Sequence, residues 1–282
     1  LYIAFSFLIC CETEIPTNPN ENIKDVILNQ IDIGSNYCYQ KYYNLENNSI
    51  VGENLITDWD LSFSNSSNSI MLNSSKYMRI AAYNPQTFIS IDDVITNGDW
   101  YYDNPNGNIT LLAFNNGGKT LAKDYFLVDK GYDCTDNHFG YSIIRIIDYN
   151  AEKYIIQTID IDNDGVLTYN NTEEIEKINT NQNIYFSLNN NEIVNIADFS
   201  WDLCFSQYTE FNVPHPNNSG LTLDTYLVTG LLQNKHIQVA IDTENAFENI
   251  WQENIENYIF NTDANTIGYD WKSFQGTYIV DP

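Results

Sequence analysis

Two distant stretches of this chain repeat one another. The first reads Tyr42-Tyr43-Asn44-Leu45, then Ile50-Val51, then Trp59-Asp60-Leu61-Ser62-Phe63. The second reads Tyr185-Phe186-Ser187-Leu188, then Ile193-Val194, then Trp201-Asp202-Leu203-Cys204-Phe205. Leu to Ile is five residues in both, and Leu to Trp is 14 in one and 13 in the other. Further on, Gly98-Asp99-Trp100 is answered by Gly268-Tyr269-Asp270-Trp271. Agreement over this length argues for a duplicated module. Each copy reads as a strand, a turn over Asn-Asn, a short second strand and a third strand carrying the Trp. Trp59, Leu61 and Phe63 alternate and so share one face, as do Trp201, Leu203 and Phe205. That face is assigned to the core, and the pattern is read as packing before any ligand role. Asp60 and Asp202 then point to the other face or bond a neighbouring loop.

The composition agrees with strands. Hydrophobic residues make up 43% of the chain, enough for each half to bury a core. Tyr, Phe and Trp supply 14%, while helix formers such as Ala, Lys and Arg are scarce. The best helical stretch is 243–259, where Phe247, Ile250, Trp251, Ile255 and Tyr258 share one side behind a Thr243 N-cap. A β-meander is expected from Asp124–Asp129, Tyr141–Asp148 and Tyr154–Ile159. The net charge of −26 excludes phosphate-backbone recognition, which needs clustered Lys and Arg. No nucleophile elbow, H-E-x-x-H motif or phosphate-cradling Gly loop is present, so the chain is not read as an enzyme.

The chain opens with an apolar run ending at Cys10-Cys11, followed at once by Glu-Thr-Glu. It is too short to span a bilayer and reads as the end of a lipoprotein signal, with Cys11 or Cys10 acylated. No Met or basic region precedes it, so the front looks cut. The organisation expected is a signal remnant at 1–11, a polar tether at 12–25, a first β domain at 26–160, an acidic linker at 161–180 and a second β domain at 181–282. Three cysteines remain: Cys38, Cys134 and Cys204. Export permits a Cys38–Cys134 disulfide, but without a short spacing the three are read first as buried small apolar residues.

Through the Tyr-Phe-X-Leu, Ile-Val and Trp-Asp-Leu-X-Phe blocks, the sequence resembles the HmuY family of haem-binding, haemophore-like bacterial lipoproteins. The likeness is clearest over Tyr185–Phe205 and extends to Tyr42–Phe63. The run Asp124–Tyr149 looks like the family's terminal hairpin. The resemblance implies a mainly β fold: two tandem HmuY-like antiparallel β domains, the second ending at Asp281-Pro282 without its closing strands. It also implies an outer-membrane or cell-surface lipoprotein that captures haem for iron acquisition. The implied partners are haem or haem proteins, membrane lipid through the acylated cysteine, and an outer-membrane transporter. A non-catalytic structural or adhesive surface module that has lost its haem ligands is the other reading.

Family members hold iron with two axial side chains, commonly His, from loops around the Gly-Trp strand. Neither Trp100 nor Trp271 is followed closely by His or Met, so those ligands do not carry over. The chain has three histidines, His138, His215 and His236. The Trp pair is 41 residues apart in the first copy and 70 in the second, leaving room for a ligand-bearing insertion in the second. His236 is therefore the first axial candidate and His215, between two prolines, the next. Phe247–Tyr258 could wall a porphyrin. Separately, Asp160, Asp162 and Asp164 with Gly165 match the first half of a calcium loop, against the alternative of an acidic turn.

Overall fold

The computed structural model describes residues 30–34, 36–84, 90–115, 125–162, 165–178, 183–196, 200–215, 220–244 and 256–270. Fourteen strands are described: β1 (Tyr39–Asn44), β2 (Ser49–Leu55), β3 (Leu61–Ser64), β4 (Ile70–Leu72), β5 (Arg79–Tyr83), β6 (Trp100–Tyr101), β7 (Tyr125–Asp129), β8 (Tyr141–Tyr149), β9 (Lys153–Ile161), β10 (Leu167–Glu176), β11 (Asn183–Ser187), β12 (Glu192–Val194), β13 (Leu203–Pro214) and β14 (Thr222–Gln233). One α-helix, α1 (Ile91–Asn97), lies between β5 and β6. The strands form three antiparallel sheets, ordered β14-β13-β1-β2, β10-β9-β8-β7-β5-β6 and β12-β11-β3-β4. The mainly β expectation holds, and the meander of β7, β8 and β9 falls where the sequence placed it. Most of the expected helix at 243–259, with Phe247, Ile250, Trp251 and Ile255, lies outside the described residues, as do Cys10, Cys11 and the tether.

The largest core lies between the six-stranded sheet and the β3-bearing sheet. Ile80, Phe126, Val128, Ile144, Ile146, Tyr154 and Ile156 on one side meet Leu61, Phe63, Ile184 and Phe186 on the other. Alternate residues of the same strands, Ala81, Leu127, Ile143 and Ile159, face the opposite side and pack with Val94 of α1. Ser90 caps α1 by accepting the Asp93 N–H at 3.2 Å, and Asp92 and Asp93 favour its N-terminus.

The two stretches that repeat one another in sequence exchange strands. β1 of the first copy pairs with β13 of the second, Tyr43 opposite Leu203. β11 of the second copy pairs with β3 of the first, Phe186 opposite Leu61. The environments correspond atom by atom. Asp60 N–H donates to the Phe186 carbonyl at 2.9 Å, and Asp202 N–H to that of Tyr43 at 2.8 Å. The Asp60 carboxylate accepts Leu188 N–H at 2.7 Å, and that of Asp202 accepts Leu45 N–H at 2.6 Å. Trp59 packs on Tyr185 and Trp201 on Tyr42, with ring centroids 5.0 and 5.5 Å apart. Asn48 and Asn191 turn the two hairpins in the left-handed region, at φ of 51° and 53°, which Asn tolerates.

Two expectations are corrected. The halves are not separate units divided at 161–180, since each Trp-Asp strand is completed by the other half's hairpin. The stretch read as a linker contains β10, paired with β9 from Leu167↔Ile161 to Glu176↔Lys153. Its acidic character comes from Glu173, Glu174 and Glu176 on an edge strand, while Ile175 is buried.

Asp103 gives the fold a pH dependence. It is buried, joins β4 to the turn at 113–115 by accepting Leu72 N–H at 2.6 Å and Ala113 N–H at 2.7 Å, and forms no ion pair among the described residues. Burial pushes its carboxyl up to about 7, against which the two N–H donors work. The folded state then holds this proton more tightly than the unfolded chain, where the value is about 3.9. The stabilisation is complete below about pH 4 and is lost as pH rises through 7, roughly 4 kcal/mol in all. Asp103→Asn should flatten this part of the stability profile between pH 4.5 and 7.5 in denaturant titrations. Parallel profiles for the two proteins would refute it.

A candidate haem site around Asp129

Asp129 ends β7 nearly buried and gathers three partners. Oδ1 accepts Gly131 N–H at 3.0 Å and lies 2.7 Å from His138 Nε2, while Oδ2 accepts Arg79 Nε–H at 3.0 Å. The sheet register puts Arg79, Asp129 and Tyr141 in one row across β5, β7 and β8. Beyond Asp129 the β7–β8 hairpin continues, with Lys130 N–H on the Gly140 carbonyl and Phe139 N–H on that of Gly131. This sets His138 opposite Tyr132. Gly131 is required here: at φ 68° a Cβ would come within 1.9 Å of the Lys76 carbonyl oxygen.

The imidazole of His138 sits between two rings, 4.9 Å from Tyr132 and 5.2 Å from Tyr141, and its side chain is 29% exposed. Trp100 of β6 lies 6.3 Å from Tyr141 and carries the Arg79 guanidinium over its face at 4.5 Å. Burial works against the charge on Arg79, but Tyr102, Asp129 and Tyr141 more than offset it and hold the group above its ordinary value. Burial, then Asp129, raises the Tyr141 phenol. A carboxylate on one ring nitrogen is the usual orienting contact behind a metal-bound His, and it leaves Nδ1 as the nitrogen open to a metal. The aromatic rings around it suit a flat apolar ligand and the guanidinium suits a carboxylate.

The residues singled out from sequence lie elsewhere. His236 Nε2 is 2.9 Å from Asp202 Oδ1, so it occupies in the second half the place that Lys76, bonded to Asp60, holds in the first. Its side chain is 54% exposed. His215 follows β13, next to the Pro214↔Thr222 pair, whereas His236 lies just past Gln233↔Leu203 at the other end of the hairpin. Eleven steps of about 3.3 Å separate those ends, so the two cannot ligate one iron. The first part of the interval between Trp201 and Trp271 forms the β13–β14 hairpin, and residues 245–255 of it lie outside the described residues.

The calcium reading gains no support from the described residues. Asp160 is a ladder residue of β9, and its carboxylate accepts from Asn170 at 2.9 Å. Asp162 caps the β9–β10 turn by accepting Val166 N–H at 2.8 Å, with Gly165 at φ 76°. Asp164 lies outside the described residues. Among the described residues no cluster of His, Cys, Asp or Glu is arranged to hold a bare metal ion. Cys204 is a buried free thiol as expected, but Cys38 and Cys134 are joined in a disulfide rather than packed as apolar residues.

Sequence reasoning missed Arg79 and Asp129. One signal was present: Arg79 and Arg145 are the chain's only arginines, and each stacks on an aromatic ring, Arg145 on Tyr125 at 5.0 Å.

The model of the HmuY protein family matches residues 36–182, just over half the chain, and the protein belongs to that family. No curated protein and no solved structure gives a match. The matched span contains His138 but neither His215 nor His236.

Proposed function

We propose that this protein binds haem at the Asp129 cluster as a surface lipoprotein serving iron acquisition. Family membership supports haem as the ligand. The observation favouring this place is His138, flanked by Tyr132 and Tyr141 and oriented by Asp129, inside the matched span. His138 would offer Nδ1 to the iron, the rings would cover the porphyrin, and Arg79 would meet a propionate. Haem here is cargo, and the chain's own work is to hold it away from water. Anchoring through Cys11 or Cys10 and hand-over to an outer-membrane transporter remain part of the proposal. No helix among the described residues is long and apolar enough to cross a membrane.

Haemin titrated into the full chain should give a sharpened, shifted Soret band. His138→Ala should broaden or abolish it, and His236→Ala should leave it unchanged. A band that survives His138→Ala but not His236→Ala would move the site to the second half. A wild-type spectrum no different from free haemin would instead favour an adhesive module that has lost its ligands.

A further inference from the structure

Successive residues of a strand face opposite sides, so the hairpin that turns His138 toward Tyr132 and Tyr141 turns Phe139 the other way. There Phe139 lines a cavity of about 400 Å³. Three segments line it, leaving it open to solvent: the hairpin tip with Asp133 and Cys134, the end of β2 with Leu55, Ile56 and Thr57, and the β11–β12 turn with Asn189 and Asn190. The Cys38–Cys134 disulfide forms part of the wall. The volume is within the range of small-molecule sites, roughly 300–1,000 Å³.

The chemistry of the lining is selective. The charged groups near the cavity are held in place by other residues, and only Lys76 is neutralised by a partner of opposite charge. Asp133 is held well below the usual carboxylate range by hydrogen bonds from Asn137 and Thr135. Lys130 Nζ–H donates to Asn189 Oδ1 at 2.9 Å, and Lys76, which faces the Phe139 ring, is paired with Asp60. Asp133 therefore stays ionised in the wall, and an anionic ligand would be repelled. Nor does the end of β2 offer N–H groups for a peptide to extend, since Leu55 N–H donates to Asp58 and Ile56 N–H to the Cys38 carbonyl. What remains is the Thr57 hydroxyl, the Asn190 amide and the Asn189 Nδ2–H group, beside apolar walls from Leu55, Ile56 and Phe139. Neutral groups that both donate and accept, set against apolar surface, match the hydroxyls and C–H faces of a sugar ring.

We propose that this cavity binds a neutral saccharide, independently of any haem bound on the opposite face of the hairpin. Saturation-transfer NMR on the full chain, with maltose, cellobiose, lactose and diacetylchitobiose as separate probes and triglycine as the peptide control, tests it. At least one sugar should show saturable transfer. Asn190→Ala combined with Thr57→Val should weaken it tenfold or more, and both positions are accessible enough for the fold to survive. His138→Ala should leave it intact. The proposal fails if no sugar responds, if triglycine alone responds, if the double variant binds as well as wild type, or if His138→Ala removes the signal.

Discussion

Asp60→Ala is expected to cost about 3–5 kcal/mol of folding stability, because it strands a buried ammonium. Asp60 and Lys76 are both fully buried and paired with one another. Asp60 also takes the Leu188 N–H, and its backbone joins Phe186 and Asn73, so one side chain ties β3 to the exchanged β11 and to the turn after β4. Lys76→Met should cost a similar amount by leaving the carboxylate unmatched. Asp60→Asn with Lys76→Met removes both charges while keeping an acceptor for Leu188, so its loss should fall well short of the sum of the Asp60→Asn and Lys76→Met losses. Chemical denaturation of wild type, these two single variants and the double variant measures this cycle. Single losses below about 1 kcal/mol, or simple additivity, would show that the pair carries no such weight. Asp202 with the half-exposed His236 should be the weaker counterpart, since a solvated imidazole leaves little desolvated charge behind.

Replacing Cys38 and Cys134 by Ser should lower stability by about 2–5 kcal/mol, a fall in Tm on the order of 10 °C. The bridge closes a loop of 96 residues, and constraint of the unfolded chain grows with loop length. It also pins the tip of the His138 hairpin to the strand entering β1. Wild type under reductant should melt like the variant. Cys204 should not scramble the bridge, because burial pushes its thiol up to about 12 and leaves almost no thiolate to attack. Equal melting temperatures with and without the bridge would overturn the expectation.

Strand identity was legible because apolar alternation and Asn turns are local signals: Ile143, Ile144 and Ile146 mark β8, and the hairpins turn at Asn48 and Asn191. Strand partners were not legible, because duplication makes them ambiguous. Leu61 and Leu203 present equivalent edges, so a Tyr-Tyr or Tyr-Phe strand satisfies either, and nothing local says which copy supplies it. β10 was hidden by the charges an edge strand shows to solvent. Asp160-X-Asp162-X-Asp164-Gly165 was ambiguous because carboxylates and Gly that suit a cation also suit a hairpin turn. His138 was visible as a lone imidazole, but its neighbours come from β5, β6, β7 and β8, and only the sheet register assembles them.

Strand exchange also sets an order of events during synthesis. Leu45 meets Asp202 across 157 residues, and Leu188 meets Asp60 across 128. The first hairpin therefore emerges from the ribosome long before the strand that completes it. Until then β1 and β3 each keep a bare edge of N–H and C=O groups, the surface most prone to pair with another molecule. High contact order of this kind slows folding. Such slowness is useful wherever a chain must be threaded through a translocation channel: a polypeptide that cannot close early stays threadable, and these two halves lock together only after β13 has been delivered.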